Sequence, residues 1–339
     1  MLRLPEFTVE NPTTLDGALA LLADHAGRAL PIAGGTDLLP NLKHQLLAPE
    51  VLVSLAKVAE LRGIAVDADG ALVIGAMTPL DELANHSEVI TRAPALAQAA
   101  SIVASPQIRR MGTLGGNVML DTRCRYINQT HFWRKALGYC LKKDGTLCHV
   151  VAGGKKCVAA ASNDTAPALM TLGGELVLRS RDGGERRMKV DDLWKADGIF
   201  NKKTRLDELV VSVRVPAQHP GHRGAYGKLR ERGSFDFPQL GIAVRVDLDG
   251  AVVADADVAV VALQTRPLHV KDVAETLRGT RPGQADFVAA VAQVAERAHQ
   301  QCHPLSNIPG DPDYRREMVP VYVRRTLMAA VGLGERPVM

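Results

Sequence analysis

Apolar residues at Leu15, Ala18, Leu19 and Leu22 recur at helical spacing, and Thr14 stands where an N-cap belongs. Residues 29–33 form a short apolar run that leads into Gly34-Gly35-Thr36-Asp37 and reads as a strand. Residues 51–55 read as a second strand. The runs 64–66 and 71–74 flank an Asp-Gly turn and predict a hairpin. Thr78-Pro79 supplies a cap and a first helical position for a helix reaching Asn85. Residues 94–104 read as an alanine-rich helix, and 108–117, rich in glycine and basic residues, as a loop. Asp164-Thr165-Ala166-Pro167 has the acidic residue and proline of a helix start. Strands follow at 176–179 and Leu209–Val215, the latter ended by Pro216. Residues 217–224, rich in Pro, His and Gly, read as a linker. Strands at 225–229, 241–248 and 251–263 precede helices from about Ala285.

Length fits two or three domains, since 339 residues exceed one compact core. A hydrophobic share of 46% and a charged share of 23% are ordinary for a folded protein. Net charge is +4, from 41 basic and 37 acidic side chains that are interspersed along the chain. No concentrated basic face for nucleic acid is expected. No apolar run approaches the roughly 18 residues of a membrane span, and the first residues lack a signal h-region or twin arginine. The expectation is a cytoplasmic protein without disulfides, which its odd count of five cysteines also favours. The sequons at Asn128 and Asn163 then carry no glycan.

Four of those cysteines, Cys124, Cys140, Cys148 and Cys157, fall in one segment with spacing Cys-x15-Cys-x7-Cys-x8-Cys. No Cys-x-x-Cys occurs, so neither a thioredoxin motif nor a zinc ribbon is present, and common ferredoxin spacings are missed. The segment therefore reads as an iron–sulfur cluster site, a structural zinc site, or four unrelated core cysteines. Its surroundings favour a cluster. Arg123, Arg125, Arg134, Lys135, Lys142, Lys143, Lys155 and Lys156 would offset an anionic four-thiolate group. Tyr126, Phe132, Trp133 and Tyr139 could exclude solvent from it. His131 and His149 are alternative zinc ligands. Cys302 reads as a structural thiol.

Two glycine pairs could bring backbone amides to an anion. The first is Gly34-Gly35, with Thr36 adding a hydroxyl. The second is Gly115-Gly116 within Thr113–Asn117. Neither matches a dinucleotide fingerprint or a P-loop, and a lone glycine pair is more often a plain turn.

Four stretches occur in order: Ile-Ala-Gly-Gly-Thr-Asp-Leu (32–38), Ile-Arg-Arg-Met-Gly-Thr-Leu-Gly-Gly-Asn (108–117), Asp-Thr-Ala-Pro-Ala-Leu (164–169) and Ala-Tyr-Gly-Lys-Leu-Arg (225–230). Together they resemble the FAD-binding medium subunits of the xanthine oxidase, or molybdenum hydroxylase, family, over nearly the whole chain. Tyr314-Arg315-Arg316 resembles part of that family's C-terminal domain. The cysteine-bearing insert is similar to that of β subunits of 4-hydroxybenzoyl-CoA reductases, which carry a [4Fe–4S] cluster beside FAD. Asp-Thr-Arg-Cys-Arg-Tyr-Ile-Asn-Gln (121–129), Gly-Tyr-Cys-Leu-Lys (138–142) and Cys-His-Val (148–150) carry that likeness.

The resemblance implies an α+β chain. A two-part FAD-binding domain of the vanillyl-alcohol-oxidase type would occupy 1–57 and 58–218, with the insert at about 119–160. A smaller α/β flavoprotein domain would occupy 219–335. It implies that Ile32, Ala33, Gly34, Gly35, Thr36, Asp37 and Leu38 hold the FAD pyrophosphate. Val103 would lie against the flavin. Thr113, Leu114, Gly115, Gly116 and Asn117 would form a second FAD loop. Asp164 would reach a ribose or ribityl hydroxyl, Lys228 the flavin's polar side, and Val210 would pack apolar surface. Cys124, Cys140, Cys148 and Cys157 would ligate iron.

The implied function is electron transfer within a larger enzyme. Partners would be a large molybdopterin subunit, a small subunit with two [2Fe–2S] clusters, and a ferredoxin-like carrier, in a dimer of heterotrimers. Electrons would run from ferredoxin through the cluster and FAD toward molybdenum, for reductive dehydroxylation of 4-hydroxybenzoyl-CoA. The alternatives are a hydroxylase subunit with the opposite flow, acting on another aromatic or N-heterocycle, a zinc-stabilised binding protein, and a self-contained flavin oxidase.

Overall fold

The computed structural model describes residues 2–199 and 201–338, organised on three sheets. The first is parallel, with Val51–Ser54 between Thr8–Glu10 and Ala29–Ile32. Helix Leu15–Asp24 lays Leu15, Ala18, Leu19 and Leu22 into the core over this sheet, at the spacing the sequence predicts. Thr14 caps it, its hydroxyl accepting from the Gly17 amide at 3.1 Å.

The second sheet is antiparallel, in the order Ile64–Val66, Leu72–Gly75, Leu209–Val215, Glu175–Ser180, Gly184–Lys189. Its last strand reads Gly-Glu-Arg-Arg-Met-Lys and has no buried residue. An exposed edge strand needs no apolar alternation, so the hydrophobic pattern does not reveal it. Between Leu72–Gly75 and Glu175–Ser180 the chain makes a long excursion. It carries the helices Leu80–Asn85, Ser87–Arg92 and Pro94–Ser101, then the cysteine segment.

The third sheet is also antiparallel, in the order Leu268–His269, Val252–Val261, Leu240–Asp249, His222–Leu229. Helices Ala285–Gln301 and Pro312–Ala330 share its core. Arg315 is fully buried there and donates to the carbonyls of Gln239, Leu305 and Ala262 at 3.1, 3.0 and 2.8 Å. A guanidinium so placed satisfies main-chain ends that no strand partner reaches.

Several sequence expectations are corrected. Residues 108–117 are not a loop: Pro106–Met111 and Leu114–Val118 are short helices. Ser105 and Thr113 cap them, their hydroxyls accepting from Ile108 and Gly116 amides at 3.4 and 3.1 Å. Side-chain caps and the N1 proline outweigh the helix cost of the glycines. Pro79, not Thr78, precedes the helix Leu80–Asn85, because the Thr78 hydroxyl donates to the Gly63 carbonyl instead. The alanine-rich helix stops at Ser101, and Ala104 has φ of 41°. The strand that begins at His222 takes up the end of the expected linker. Among the described residues no helix is long and apolar enough to cross a membrane.

Candidate functional site

The Gly34-Gly35 turn leaves the parallel strand Ala29–Ile32 and enters the short helix Leu38–Lys43. Gly35 has φ of 70°, where glycine carries no steric penalty. A Cβ on Gly34 would overlap the Met111 carbonyl, so the turn sits directly on the end of helix Pro106–Met111. Among the described residues, no protein acceptor is bonded to the amides of Ala33, Gly34, Gly35, Thr36 or Asp37. All five residues are half-buried, as are Ile32 and Leu38. Such a run of open donors in a partly shielded turn fits a pyrophosphate.

The second glycine pair is built differently. The Leu114 amide donates to Thr78 at 3.0 Å, Gly115 to Ala76 at 2.8 Å, Gly116 to the Thr113 hydroxyl at 3.1 Å and Asn117 to the Thr113 carbonyl at 2.9 Å. Gly115 is needed because a Cβ would meet Ala76 at 2.8 Å. These amides brace the protein. Gly116 is the exposed member of the stretch and the part open to a ligand.

Asn117 ties this stretch to the Asp164 region. Its side-chain oxygen accepts from the amide and hydroxyl of Thr165 at 3.1 and 2.7 Å. Asn163 returns the contact, donating to the Asn117 and Val118 carbonyls at 2.8 and 3.0 Å. Asp164 precedes helix Thr165–Thr171 but makes no side-chain cap bond. Its carboxylate instead accepts from Tyr226 at 2.9 Å and from Lys228 at 3.1 Å. Burial pushes the Asp164 carboxyl up and the Lys228 ammonium down, and the attraction between them opposes both shifts. Lys228 also donates to the Ile102 carbonyl at 3.2 Å, as does Arg230. The next residue, Val103, is half-buried in the bend before Ser105. Val210 is 8% exposed and belongs to the same apolar core as Leu114 and Tyr226.

Hydrogen bonds therefore link the Thr113–Asn117 stretch to the residues flanking Asp164, and Asp164 to Lys228, while the first turn packs on Met111 and Val103 follows the Ile102 carbonyl that Lys228 reaches. Val210 contributes apolar surface alone. Sequence reasoning missed Tyr226 as a site residue, although it stands two residues before Lys228 and so faces the same side of its strand.

The cysteine segment has one helix, His131–Ala136, capped by Thr130. Cys124, Cys140, Cys148 and Cys157 nevertheless line one cavity, together with Tyr126, Ile127, Lys142 and Val150. The enclosed room is about 20 Å3, and the remaining space opens to solvent. Cys124 and Cys157 are buried, Cys140 and Cys148 half-buried, and none is in a disulfide. Burial raises the Cys124 thiol, and pushes Cys157 up to about 11. Among the described residues no three or more His, Cys, Asp or Glu side chains converge closely enough to hold a single metal ion. The sulfurs ring a space and do not meet at a point. Lys142 is held at the rim by Asp121, Thr122 and the Gly198 carbonyl, at 2.9, 2.5 and 2.7 Å. His149 stacks on Tyr126, with ring centroids 5.1 Å apart, and bonds the Tyr139 carbonyl at 2.6 Å. Neither it nor His131, which bonds the Tyr139 hydroxyl, belongs to a converged ligand set. Cys302, buried among the helices of the third sheet, is part of an apolar core.

Known proteins resemble this chain along its length. Residues 5–218 match the FAD binding domain in molybdopterin dehydrogenase, and 225–330 match the CO dehydrogenase flavoprotein C-terminal domain. The carbon monoxide dehydrogenase medium chain of Hydrogenophaga pseudoflava is 29% identical, covering 96% of this chain and 97% of its own. The nicotinate dehydrogenase FAD-subunit of Eubacterium barkeri is 30% identical over 81% of each chain. A solved carbon monoxide dehydrogenase from Hydrogenophaga pseudoflava superposes with a TM-score of 0.79 at 27% identity, over 98% of this chain and 100% of its own. The chain belongs to the FAD-binding flavoprotein subunits of the molybdopterin dehydrogenases. The two-domain α+β architecture expected from the sequence is the architecture of that family.

Proposed function

We propose that this chain is the electron-transfer subunit of a molybdenum-containing reductase, with FAD on the 32–38 turn and a [4Fe–4S] cluster held by Cys124, Cys140, Cys148 and Cys157. The observation that supports the second centre is that four thiols of one segment line one cavity without converging on a single point. That arrangement suits a polynuclear cluster better than one zinc ion, whose ligands converge. FAD exchanges electrons singly or in pairs, and a four-iron cluster exchanges one at a time.

The protein's own residues bind and orient. The open amides at 33–37 receive the pyrophosphate. Gly116 borders the cofactor, and Val103 and Val210 shape apolar surface for the flavin. Asp164 accepts a hydroxyl of the ribityl chain or ribose, while Lys228 places its ammonium toward the flavin's polar edge. Lys142 offsets negative charge on the thiolates. In the division 1–57, 58–218 and 219–335, the first two parts carry most of the flavin's contacts and the third adds Lys228. No covalent step falls to a residue of this chain.

The partners in this reading are a large molybdopterin subunit, a small subunit with two [2Fe–2S] clusters and a ferredoxin-like donor. Together they form a dimer of heterotrimers in the cytoplasm that acts on 4-hydroxybenzoyl-CoA. That specificity rests on the cysteine segment alone. A second reading, a hydroxylase subunit passing electrons the other way, is favoured by relatives named as dehydrogenases.

Anaerobic purification with iron, sulfide, zinc and flavin analysis tests the cofactors. The expected result is one FAD and about four iron with matching sulfide per chain. Zinc without sulfide overturns the cluster. Turnover of 4-hydroxybenzoyl-CoA by the assembled complex with reduced ferredoxin tests the direction. Oxidative turnover alone favours the second reading.

A further inference from the structure

We propose that Arg123 and Arg134 of the cysteine segment clasp the helix behind the Gly34-Gly35 turn, so that filling the sulfur cavity tightens FAD binding. This rests on the cofactor placement above and adds a coupling between the two sites.

The clasped element is Leu38–Lys43, the short helix entered from the turn. At its start, the Arg123 guanidinium pairs with the Asp37 carboxylate, whose other oxygen accepts from Asn41 at 3.0 Å. Asp37 would otherwise set a negative charge beside the amides that receive a pyrophosphate. At its end, Arg134 donates to the carbonyls of His44 and Gln45 at 2.7 and 3.3 Å. His44 is the C-cap of this helix and Gln45 follows it, so Arg134 holds the turn that closes the helix. Its side chain is 1% exposed, so the contact is shielded from water. Just beyond, Leu46 packs against Cys124, Ile127 and Cys157.

Both arginines are tied to the cavity. Arg123 adjoins Cys124, and its amide and carbonyl pair with Ala160 at 2.7 Å each, three residues after Cys157. Arg123 is also covered by the Phe237 ring, 4.4 Å from its guanidinium carbon to the centroid. The Arg134 carbonyl accepts from the Tyr139 amide at 2.8 Å, and Tyr139 precedes Cys140. Tyr139 has φ of 63°, a bend that turns the chain to present Cys140.

The segment has little regular structure of its own, so ligation by four thiols is its main source of rigidity. Ligation fixes Arg123 and Arg134. The arginines fix the Leu38–Lys43 helix, and the helix fixes the turn. Linkage makes the effect reciprocal.

The test uses the full chain, purified anaerobically, with FAD removed. FAD dissociation constants are read from quenching of flavin fluorescence, in protein reconstituted with iron and sulfide and in protein stripped of iron by a chelator. Expected is affinity about five- to tenfold weaker in the stripped form, the lower range of site–site coupling. In Arg123→Gln and in Arg134→Gln the ratio falls below about twofold. A merely structural role lowers affinity equally in both forms and leaves the ratio intact, which overturns the proposal. Arg134→Lys, keeping one donor, restores part of the ratio. Should a glutamine variant fail to fold, hydrogen exchange in the unaltered chain decides. Amides at 38–46 exchange more slowly when the cavity is filled, and equal rates overturn the clasp. Equal FAD affinities in the two unaltered forms overturn it alone. A chain that binds FAD but takes up no iron and sulfide overturns the cluster placement as well, and one that takes up iron but no FAD overturns the flavin placement.

Discussion

The turn at 32–38 rests on a parallel sheet, a packed helix end and a network anchored by a buried charge pair, whereas the four cysteines rest on a segment whose one helix spans His131–Ala136. The flavin side is held by main-chain and side-chain hydrogen bonds over a large core. Its apolar core draws on the three central strands of the five-stranded sheet. The sulfur side has a small core of Cys124, Ile127, Cys157 and Ala159. Two regions of one chain thus differ in what lies beneath them: an extended apolar core in the first, a core of four residues in the second. Substitutions that remove one cofactor at a time separate them.

The largest effect is expected from Cys140→Ser. Loss of a thiolate ligand removes most of the iron. The segment at about 119–160 then becomes sensitive to limited proteolysis, while thermal unfolding of the remainder shifts little. FAD still binds at saturation, with the weaker affinity the clasp predicts. Iron analysis and peptide mapping of the cleavage sites check this. Equal loss of iron and of all FAD binding shows that the two regions are one.

Gly35→Asp is the mirror experiment. It puts a carboxylate at a position with φ of 70°, against Ile32 and Leu39 at 3.2–3.3 Å and beside the open amides. Strain and charge both oppose an anion there. FAD affinity falls by about 100-fold or more, while the chain retains its iron. Full flavin occupancy places the pyrophosphate elsewhere.

How much of this the sequence disclosed follows the same divide. Helix Leu15–Asp24 and strand Leu209–Val215 were legible because each buries apolar residues at regular spacing, and the hairpin from Ile64 because Asp69-Gly70 marks its turn. The short helices Pro106–Met111 and Leu114–Val118 were not, because they are stabilised by Ser105 and Thr113 caps and by tertiary contacts. The two glycine pairs look alike in sequence, and only the main-chain partners distinguish an open turn from a braced one. That the cysteines share one cavity could not be read from their spacing, since tertiary contacts bring them together. Arg125 donates to the Ile308 carbonyl at 2.9 Å, from 183 residues away. The pairing of Lys228 with Asp164 joins residues 64 apart, and no local pattern announces it.

That pair gives the third prediction. Lys228→Met removes the ammonium and leaves Asp164 buried, with Tyr226 still donating to it. Breaking one partner of a buried pair costs about 3–5 kcal/mol, read as a lower melting temperature. With the cation gone, burial raises the Asp164 carboxyl further. The folded state then binds a proton that the unfolded state, near its ordinary value of about 3.9, releases. The deficit is therefore greatest at neutral pH and shrinks as pH falls toward 4. A deficit independent of pH means that the carboxyl is not the source of the cost.

The smallest effect concerns the thiols of iron-free protein. Cys140 and Cys148 are half-buried and open to a small alkylating reagent, whereas Cys124 and Cys157 are buried and Cys302 is sealed in the third sheet's core. Burial holds Cys157 up at about 11 and Cys302 at about 12, so little thiolate forms at neutral pH. Mass spectrometry after brief treatment at pH 7.5 should show Cys140 and Cys148 modified first and Cys302 last. The Cys157 rate should rise about tenfold per pH unit until pH nears 11, because the thiolate is the reacting form. The same protons must leave when iron enters, so cluster uptake should quicken with rising pH. The flavin turn has no such protons to lose, since amides bind the pyrophosphate without titrating. FAD affinity measured on cluster-loaded protein should stay flat between pH 6.5 and 8.5 while iron uptake climbs. Parallel pH profiles would erase the distinction between a site made by packing and a site made by ligation.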